Sequence, residues 1–315
     1  MVDAIDTYLS TYPGSPIVLD VLGTDDAEEI RARALELEPD GVEVFYFAAS
    51  VGALFGVRRR DGSRVAVKVN TLFRDPAYFA DVQRVQAVVR AAGFPAPRPI
   101  RSVGAVTVDE WLDDGAFRDG HDPDVRRALA ETLVRLVDLA TASGVRPRRA
   151  FLWPEGSTWP KPHNALFDFA ATTAGAEWID EIGARALLPR TGREVVGHSD
   201  WAAKHVRFDD ELRPTAVYDW DLNTECEPVV AGSAAGAFTY TEELHHRVRR
   251  WPTPEESLAF LDDYERAHGA RFTAEERRLA QAACVYVIAY SSRCHHSIGG
   301  DPADMHLAAF ADELL

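Results

Sequence analysis

Two acids nineteen positions apart, Asp200 and Asp219, stand in apolar surroundings within HSDWAAKHVRFDDELRPTAVYDWD, the stretch from His198 to Asp221. The first belongs to an H-x-D triplet, with His205 five residues on and Val206 after it; the second follows the apolar pair of V-Y-D-W-D. Phosphoryl transfer uses such a pair. One carboxylate orients and deprotonates an attacking hydroxyl, and another holds the magnesium that bridges the phosphates. Because in-line placement of the acceptor supplies much of the rate, Asp200 can act as base with a nearly ordinary pKa. Asp219 is then the metal ligand. Asp221 lies two positions on, and alternate strand residues point the same way, which makes it a candidate second ligand.

The block resembles the catalytic segment of the aminoglycoside phosphotransferase and choline kinase group of small-molecule kinases. The pattern of that group is H-x-D-x-x-x-x-N, a short hairpin, then an apolar pair and D-W or D-F; His198, Asp200, Asp219 and Trp220 match it. The resemblance spans about residues 40–315 and is strongest at 196–221. It implies a two-lobed protein-kinase-like fold, ATP or GTP as donor, Mg2+, and a small-molecule hydroxyl as acceptor, on an aminoglycoside, an amino sugar, a choline-like alcohol or another natural product. With Asp200, His198 forms the catalytic pair, its expected task being to brace the loop rather than to move a proton. One position departs: His205 stands where the family has the Asn that helps to hold magnesium. Oxygen ligands suit that hard cation better than imidazole does. His205 is therefore a metal ligand that favours Mn2+, a direct contact to phosphate, or the mark of a site that binds nucleotide poorly and no longer turns over. Lys204 and Arg207 beside it carry positive charge that would compensate.

The elements that must position this block begin upstream. In VEVFYFAASVGALFGVRRRDGSRVAVKVN, β-branched and aromatic runs broken by Asp61-Gly62 read as antiparallel strands. A lone strand Lys usually faces solvent, but V-A-V-K after a hairpin resembles the kinase strand whose Lys reaches the nucleotide phosphates, so Lys68 is assigned to the nucleotide. AASVGALFG is a poor glycine-rich loop; its small residues would still let backbone N–H groups approach phosphate, which makes Ser50 and Gly52 candidates. PAYFADVQRVQAVVRAAG reads as a helix with Phe79, Val82, Val85 and Val89 on one face and Gly93 as its cap. The family places a Glu in this helix to pair with the Lys. None occurs here, and Asp81 and Gln83 are the available substitutes. After the Pro-rich FPAPRPI, AVTVDEWLDDG gives a strand and a break, where the resemblance assigns the backbone of Glu110, Trp111 and Leu112 to the adenine.

Residues 123–143 carry one long helical pattern, with Leu129, Leu133, Leu136, Val137 and Ala140 on a shared face. From 145 to 190 the chain is aromatic and punctuated by Pro. Trp153, Trp159, Phe167, Phe169 and Trp178 either line a pocket for a flat or sugar-like substrate or pack against the lobe. SLAFLDDYERAHG and AEERRLAQAACVYVIAYSSRC read as two amphipathic helices, the first closed by Gly269. The expected class is α+β: an N-lobe over 1–110 with an antiparallel sheet and a helix, and a mainly helical C-lobe over 111–315.

Composition narrows the function classes. The 315 residues are 46% apolar and 27% charged, ordinary for a globular chain, and their net charge of −16 argues against a general nucleic-acid binder. An acidic balance suits a cationic acceptor and equally serves solubility. Cys226, Cys284 and Cys294 form no C-x-x-C pair, as expected of a reducing cytoplasm without disulfides or zinc. No run approaches the ~20 apolar residues of a membrane helix, and MVDAIDTYLSTYPGSP lacks the basic start and apolar core expected of a signal peptide. Adjacent pairs His245-His246 and His295-His296 make poor chelates, because neighbours on a helix point apart. The reading is an ATP- or GTP-dependent phosphotransferase; the alternative is a catalytically impaired kinase-like protein that holds a ligand in the same cleft.

Overall fold

The computed structural model describes residues 3–70, 75–148, 156–241, 244 and 247–315. Three short helices come first, α1 (Ala4–Thr11), α2 (Pro16–Leu22) and α3 (Ala27–Leu37), each opened by a side-chain cap from Asp3, Ser15 or Asp26. The strands β1 (Gly41–Ala49), β2 (Ala53–Arg59) and β3 (Arg64–Val69) follow as a meander. Helix α4 (Pro76–Ala91) precedes β4 (Pro99–Val103) and β5 (Val106–Glu110). The five strands form one antiparallel sheet in the order β1-β2-β3-β5-β4.

Alternation divides this sheet. Val65, Val67 and Val69 of β3, with Phe55 and Val57 of β2 and Val108 of β5, turn to a small core that α1–α3 close with Ile5, Val18, Leu22, Ile30 and Ala34. Ala66 and Lys68 therefore face the other way, toward α4 and the cleft.

The second half is mainly helical: α5 (Pro123–Ala142), α6 (Glu177–Arg185), then β6 (Glu194–His198), β7 (Val206–Phe208), β8 (Pro214–Val217), β9 (Leu222–Cys226), α7 (Glu227–Ala235), α8 (Pro254–His268), α9 (Ala274–Ser297) and α10 (Leu307–Leu314). Capping boxes at Thr253/Glu256 and Thr273/Glu276 start α8 and α9, and Gly269 (φ 76°) ends α8 in the left-handed conformation expected of its sequence. The five apolar positions assigned to one face of α5 are all buried. They join a large core with α7, α8, α9 and the inner face of α4, whose Phe79, Val82, Val85 and Val89 lie in this core and not in that of the sheet. Among the described residues no helix is long and apolar enough to cross a membrane.

Candidate active site

Two short ribbons set the site. β6 pairs with β9, placing His198 opposite Leu222, and β7 pairs with β8, placing Val206 opposite Val217. The loops 199–205 and 218–221 are thereby forced side by side, and Asp200 and Asp219 project from them. Asp219 has φ 49°, a left-handed backbone that costs most non-glycine residues roughly 1–2 kcal/mol. Bonds on both sides hold it there. The Tyr218 N–H donates to the His205 carbonyl (2.8 Å), the Tyr218 hydroxyl to the Leu112 carbonyl (2.7 Å), and the Ser199 N–H to the Asp221 carbonyl (2.8 Å).

His198 is a brace. Its Nδ1 accepts from the Asp200 N–H (3.2 Å), which leaves the ring proton on Nε2 to be donated to the Tyr218 carbonyl (3.2 Å). Burial, with the neighbouring His205, lowers its pKa and keeps the ring neutral. The side chain therefore ties the two acid-bearing loops together.

Three further side chains converge. Lys68, on the cleft side of β3, forms an ion pair with Asp219. His205 Nε2 lies 3.1 Å from Asp200 Oδ2 and 3.8 Å from Asp219 Oδ2. Lys204 Nζ lies 3.1 Å from Asp200 Oδ2 and 4.7 Å from the centre of the Tyr240 ring, a cation–π position. Burial alone would raise the pKa of both acids. For Asp200 the Lys204 ammonium and His205 outweigh it, and for Asp219 Lys68 and His205 do, so both carboxyls are held below their ordinary range. Lys204 is raised in turn, because Asp200 and Asp219 overcome its own burial.

Ligand atoms of Asp200, His205 and Asp219 all lie within 4.8 Å of one another. Around an octahedral ion with bonds of about 2.1 Å, adjacent donors stand about 3 Å apart and opposite ones about 4.2 Å. His205 stands 3.1 and 3.8 Å from the two carboxylates, inside that span, so these donors are spaced to share an ion once Lys68 yields Asp219. Two carboxylates and an imidazole form a mixed oxygen–nitrogen donor set, of the kind manganese accepts more readily than magnesium.

The model of the phosphotransferase enzyme family matches residues 49–224, more than half of the chain, and includes every residue of this cluster. The chain belongs to that family. No curated protein sequence matches it. Solved structures with the same fold include amicoumacin kinase hAmiN in complex with AMP-PNP, Ca2+ and Ami, at TM-score 0.59 and 14% identity, covering 92% of this chain and 93% of that one. Choline kinase LicA from Streptococcus pneumoniae aligns at TM-score 0.54 and 12% identity, over 90% of this chain and 96% of its own. A choline/ethanolamine kinase family protein from Mesorhizobium loti aligns at 0.50 and 14%, over 90% and 92%. At such identities the likeness carries the two-lobed α+β fold.

Elsewhere in this phosphotransferase the sequence-based assignments fare differently. Asp221 is not in the cluster: it is buried and accepts from the Tyr78 hydroxyl of α4 (2.8 Å), which also donates to the Leu222 carbonyl (2.8 Å). The alternation argument fails because the left-handed turn at Asp219 interrupts the strand. Asp81 pairs with Arg84 on the outside of α4, and Gln83 reaches no lysine. Instead the Gln83 and Gln86 amides donate to Asp109 Oδ1 of β5, at 3.3 and 3.2 Å.

In the first hairpin the Ser50 N–H is spent on the Gly52 carbonyl (2.8 Å), and Gly52 lies so close to the Val69 carbonyl that no side chain would fit. At the end of β5 the Glu110 carboxylate pairs with Arg90 (2.9 Å), the Trp111 N–H donates to the Arg64 carbonyl (3.1 Å), and the Leu112 carbonyl accepts from Tyr218.

The aromatic segment packs largely against the lobe. Trp159 stands 5.3 Å from Tyr286 and 6.0 Å from Tyr290 of α9, and its indole donates to Asp180 (2.6 Å). Phe169 lies 5.9 Å from Tyr290, and Trp178 is 39% exposed. Arg293, wholly buried, donates to the Phe169 carbonyl (2.7 Å), Thr172 (3.1 Å) and Asp180 (3.2 Å). Asn164 of the same segment donates to the Ser50 carbonyl across the cleft (3.4 Å). Trp153 and the pair His245-His246 lie outside the described residues. His295 and His296 contact different carbonyls, those of Asp301 and Ala174.

Proposed function

We propose that this phosphotransferase moves the terminal phosphoryl group of ATP or GTP onto a hydroxyl of a small molecule, an aminoglycoside, amino sugar or similar, with Asp200 as base. One observation carries the reading: Lys68, Asp200, His205 and Asp219, drawn from three separate segments, meet around a single space. Amicoumacin kinase, with AMP-PNP and Ca2+ in its structure, supports a nucleotide and a divalent cation as the occupants.

The roles follow from position. Lys68 neutralises phosphate charge. Asp200 takes the hydroxyl proton as the new O–P bond forms and the bond from the terminal phosphorus to the bridging oxygen breaks. A carboxylate held at low pKa is a weak base, so its main contribution is to aim the hydroxyl. Asp219 and His205 would hold Mg2+ or Mn2+, which supplies charge neutralisation at the phosphates. Lys204, bonded to the base, brings a second positive charge to the acceptor side.

A ligand-holding protein without turnover is the second reading. It is favoured by the internal pairing of both acids, Asp219 with Lys68 and Asp200 with Lys204, which leaves the site electrostatically satisfied by itself. Calorimetric titration of ATP and GTP, each with magnesium and with manganese, into wild type and Asp219→Ala tests the first. Metal-dependent binding that the variant loses supports it, and turnover of hydroxylated acceptors then separates it from the second. Folded protein that binds no nucleotide in any combination sinks the kinase reading.

A further inference from the structure

Helix α4 carries no acid that reaches Lys68, yet a carboxylate is present beside that lysine from another direction. β3 and β5 pair with Lys68 opposite Thr107 and Ala66 opposite Asp109, so Asp109 is the diagonal neighbour of Lys68 on the same face of the sheet. Diagonal positions lie about 7–8 Å apart, within reach of a long side chain. Oδ1 of Asp109 is fixed by the Gln83 and Gln86 amides of α4, while Oδ2 has no hydrogen-bond partner among the described residues. Burial pushes the Asp109 carboxyl up to about 6, opposed by those two amides and by the Lys68 ammonium. An acid so placed gains from a cation.

Lys68 cannot keep its present partner during the reaction. Its ammonium neutralises Asp219, the carboxylate that a metal ion must take. We propose that Asp109 is the second partner of Lys68: the ammonium rests on Asp219 in the free enzyme and passes to Asp109 when Asp219 is committed to metal, so that a strand carboxylate, presented by helix amides, does the work for which α4 has no acid. Asp109 is a positioning residue, acting on the phosphates through Lys68. The inference rests on the kinase reading of the cleft, and its test is split so that the two stand or fall separately.

The first arm needs no nucleotide. Melting temperatures of wild type, Asp109→Asn, Asp219→Asn and the double variant form a cycle. When Asp219 is neutralised, Lys68 turns to Asp109, so Asp109→Asn costs at least about 2 °C more in the Asp219→Asn background than in wild type. Equal shifts in both backgrounds overturn the pairing. The second arm measures magnesium–ATP affinity. Asp109→Asn weakens it about tenfold, and Asp109→Glu, which keeps a carboxylate on the strand, retains most of it. An Asn variant that binds as wild type, or a Glu variant that loses as much as the Asn variant, overturns the positioning role. Coupling in the first arm with no nucleotide binding by wild type would keep the pairing and refute the kinase reading.

Discussion

Replacement of His205 by Asn addresses the one departure from the family pattern. The imidazole is 8% exposed and touches both acids, at 3.1 Å from Asp200 and 3.8 Å from Asp219, so the substitution removes both contacts together. The ring loses the equivalent of one to two buried methylenes, a cost of about 1–2 kcal/mol at ~0.8 kcal/mol each, or a fall in Tm of about 2–8 °C. The chemistry at the metal changes in the opposite sense. An amide oxygen replaces a nitrogen donor, which a hard cation prefers, and a gain of one decade corresponds to about 1.4 kcal/mol. We expect the half-saturating magnesium concentration to fall about tenfold while that for manganese moves by less than about threefold. The assay is acceptor-dependent nucleotide turnover, titrated separately with each metal at saturating nucleotide. If both metals shift by the same factor, or neither shifts, His205 is not a ligand and the reasoning fails. A rise in kcat with magnesium marks the histidine as an impairment, a fall marks it as a working part.

Three other perturbations follow from the same geometry. Lys204→Met removes an ammonium 3.1 Å from Asp200; the gross attraction of ~5 kcal/mol at an effective dielectric of 20, discounted because Asp200 is 43% exposed, leaves about 1–3 kcal/mol. Accordingly kcat should fall roughly 10- to 100-fold with nucleotide affinity within about threefold, and unchanged kcat would remove Lys204 from the acceptor side. Arg293→Met deletes three hydrogen bonds of a buried guanidinium while Asp180 keeps the Trp159 indole, so denaturant unfolding should show a loss of about 2–4 kcal/mol; under about 1 kcal/mol would show that the aromatic segment does not depend on this anchor. The Asp109 carboxyl, at about 6 folded against 3.8 unfolded, binds more protons in the native state. Its contribution is therefore most favourable below pH 3.8 and declines by ~3 kcal/mol as pH rises to about 6. The difference in stability between wild type and Asp109→Asn should follow that window, and a constant difference from pH 4 to 7 would show the group to be ordinary.

What the sequence disclosed and what it hid have separate physical causes. The β-branched run and the Asp61-Gly62 turn made the strand of Lys68 legible, whereas the direction of the lysine toward the cleft came from the likeness of V-A-V-K to the kinase strand. The H-x-D triplet and the V-Y-D-W-D run located Asp200 and Asp219, although their meeting depends on two ribbon pairings far apart in the chain. Asp221 lies apart from the cluster because the left-handed residue Asp219 breaks the alternation, and nothing local in Y-D-W-D announces it. Asp109 was missed although a signal existed: in V-T-V-D-E, Thr107 and Asp109 share a face while Val106 and Val108 take the other, so an acid was already pointed at the cleft. The Gln83 and Gln86 amides that hold it are spaced for one helix face, but the sequence presents Gln83 only as a partner for Lys68 and not as a donor to a strand acid. In the aromatic segment composition could not decide between lining and packing, because Trp and Tyr serve both; Asp180 and Arg293 decided it by satisfying the indole and anchoring the backbone.

The bond from Tyr78 to Asp221 and the Leu222 carbonyl bears on how the cleft opens. It fastens the start of α4 to the strand behind Asp219, while the apolar face of that helix sits in the large core with α5. Mechanically, then, α4 travels with the helical half although the chain inserts it between strands of the sheet. Between α4 and the sheet lies a row of amide contacts from Gln83 and Gln86 to the Arg101 carbonyl, the Pro97 carbonyl and Asp109. The seam between the two cores is therefore polar, and Lys68 is held on the sheet side of it while Asp200 and Asp219 are held on the other.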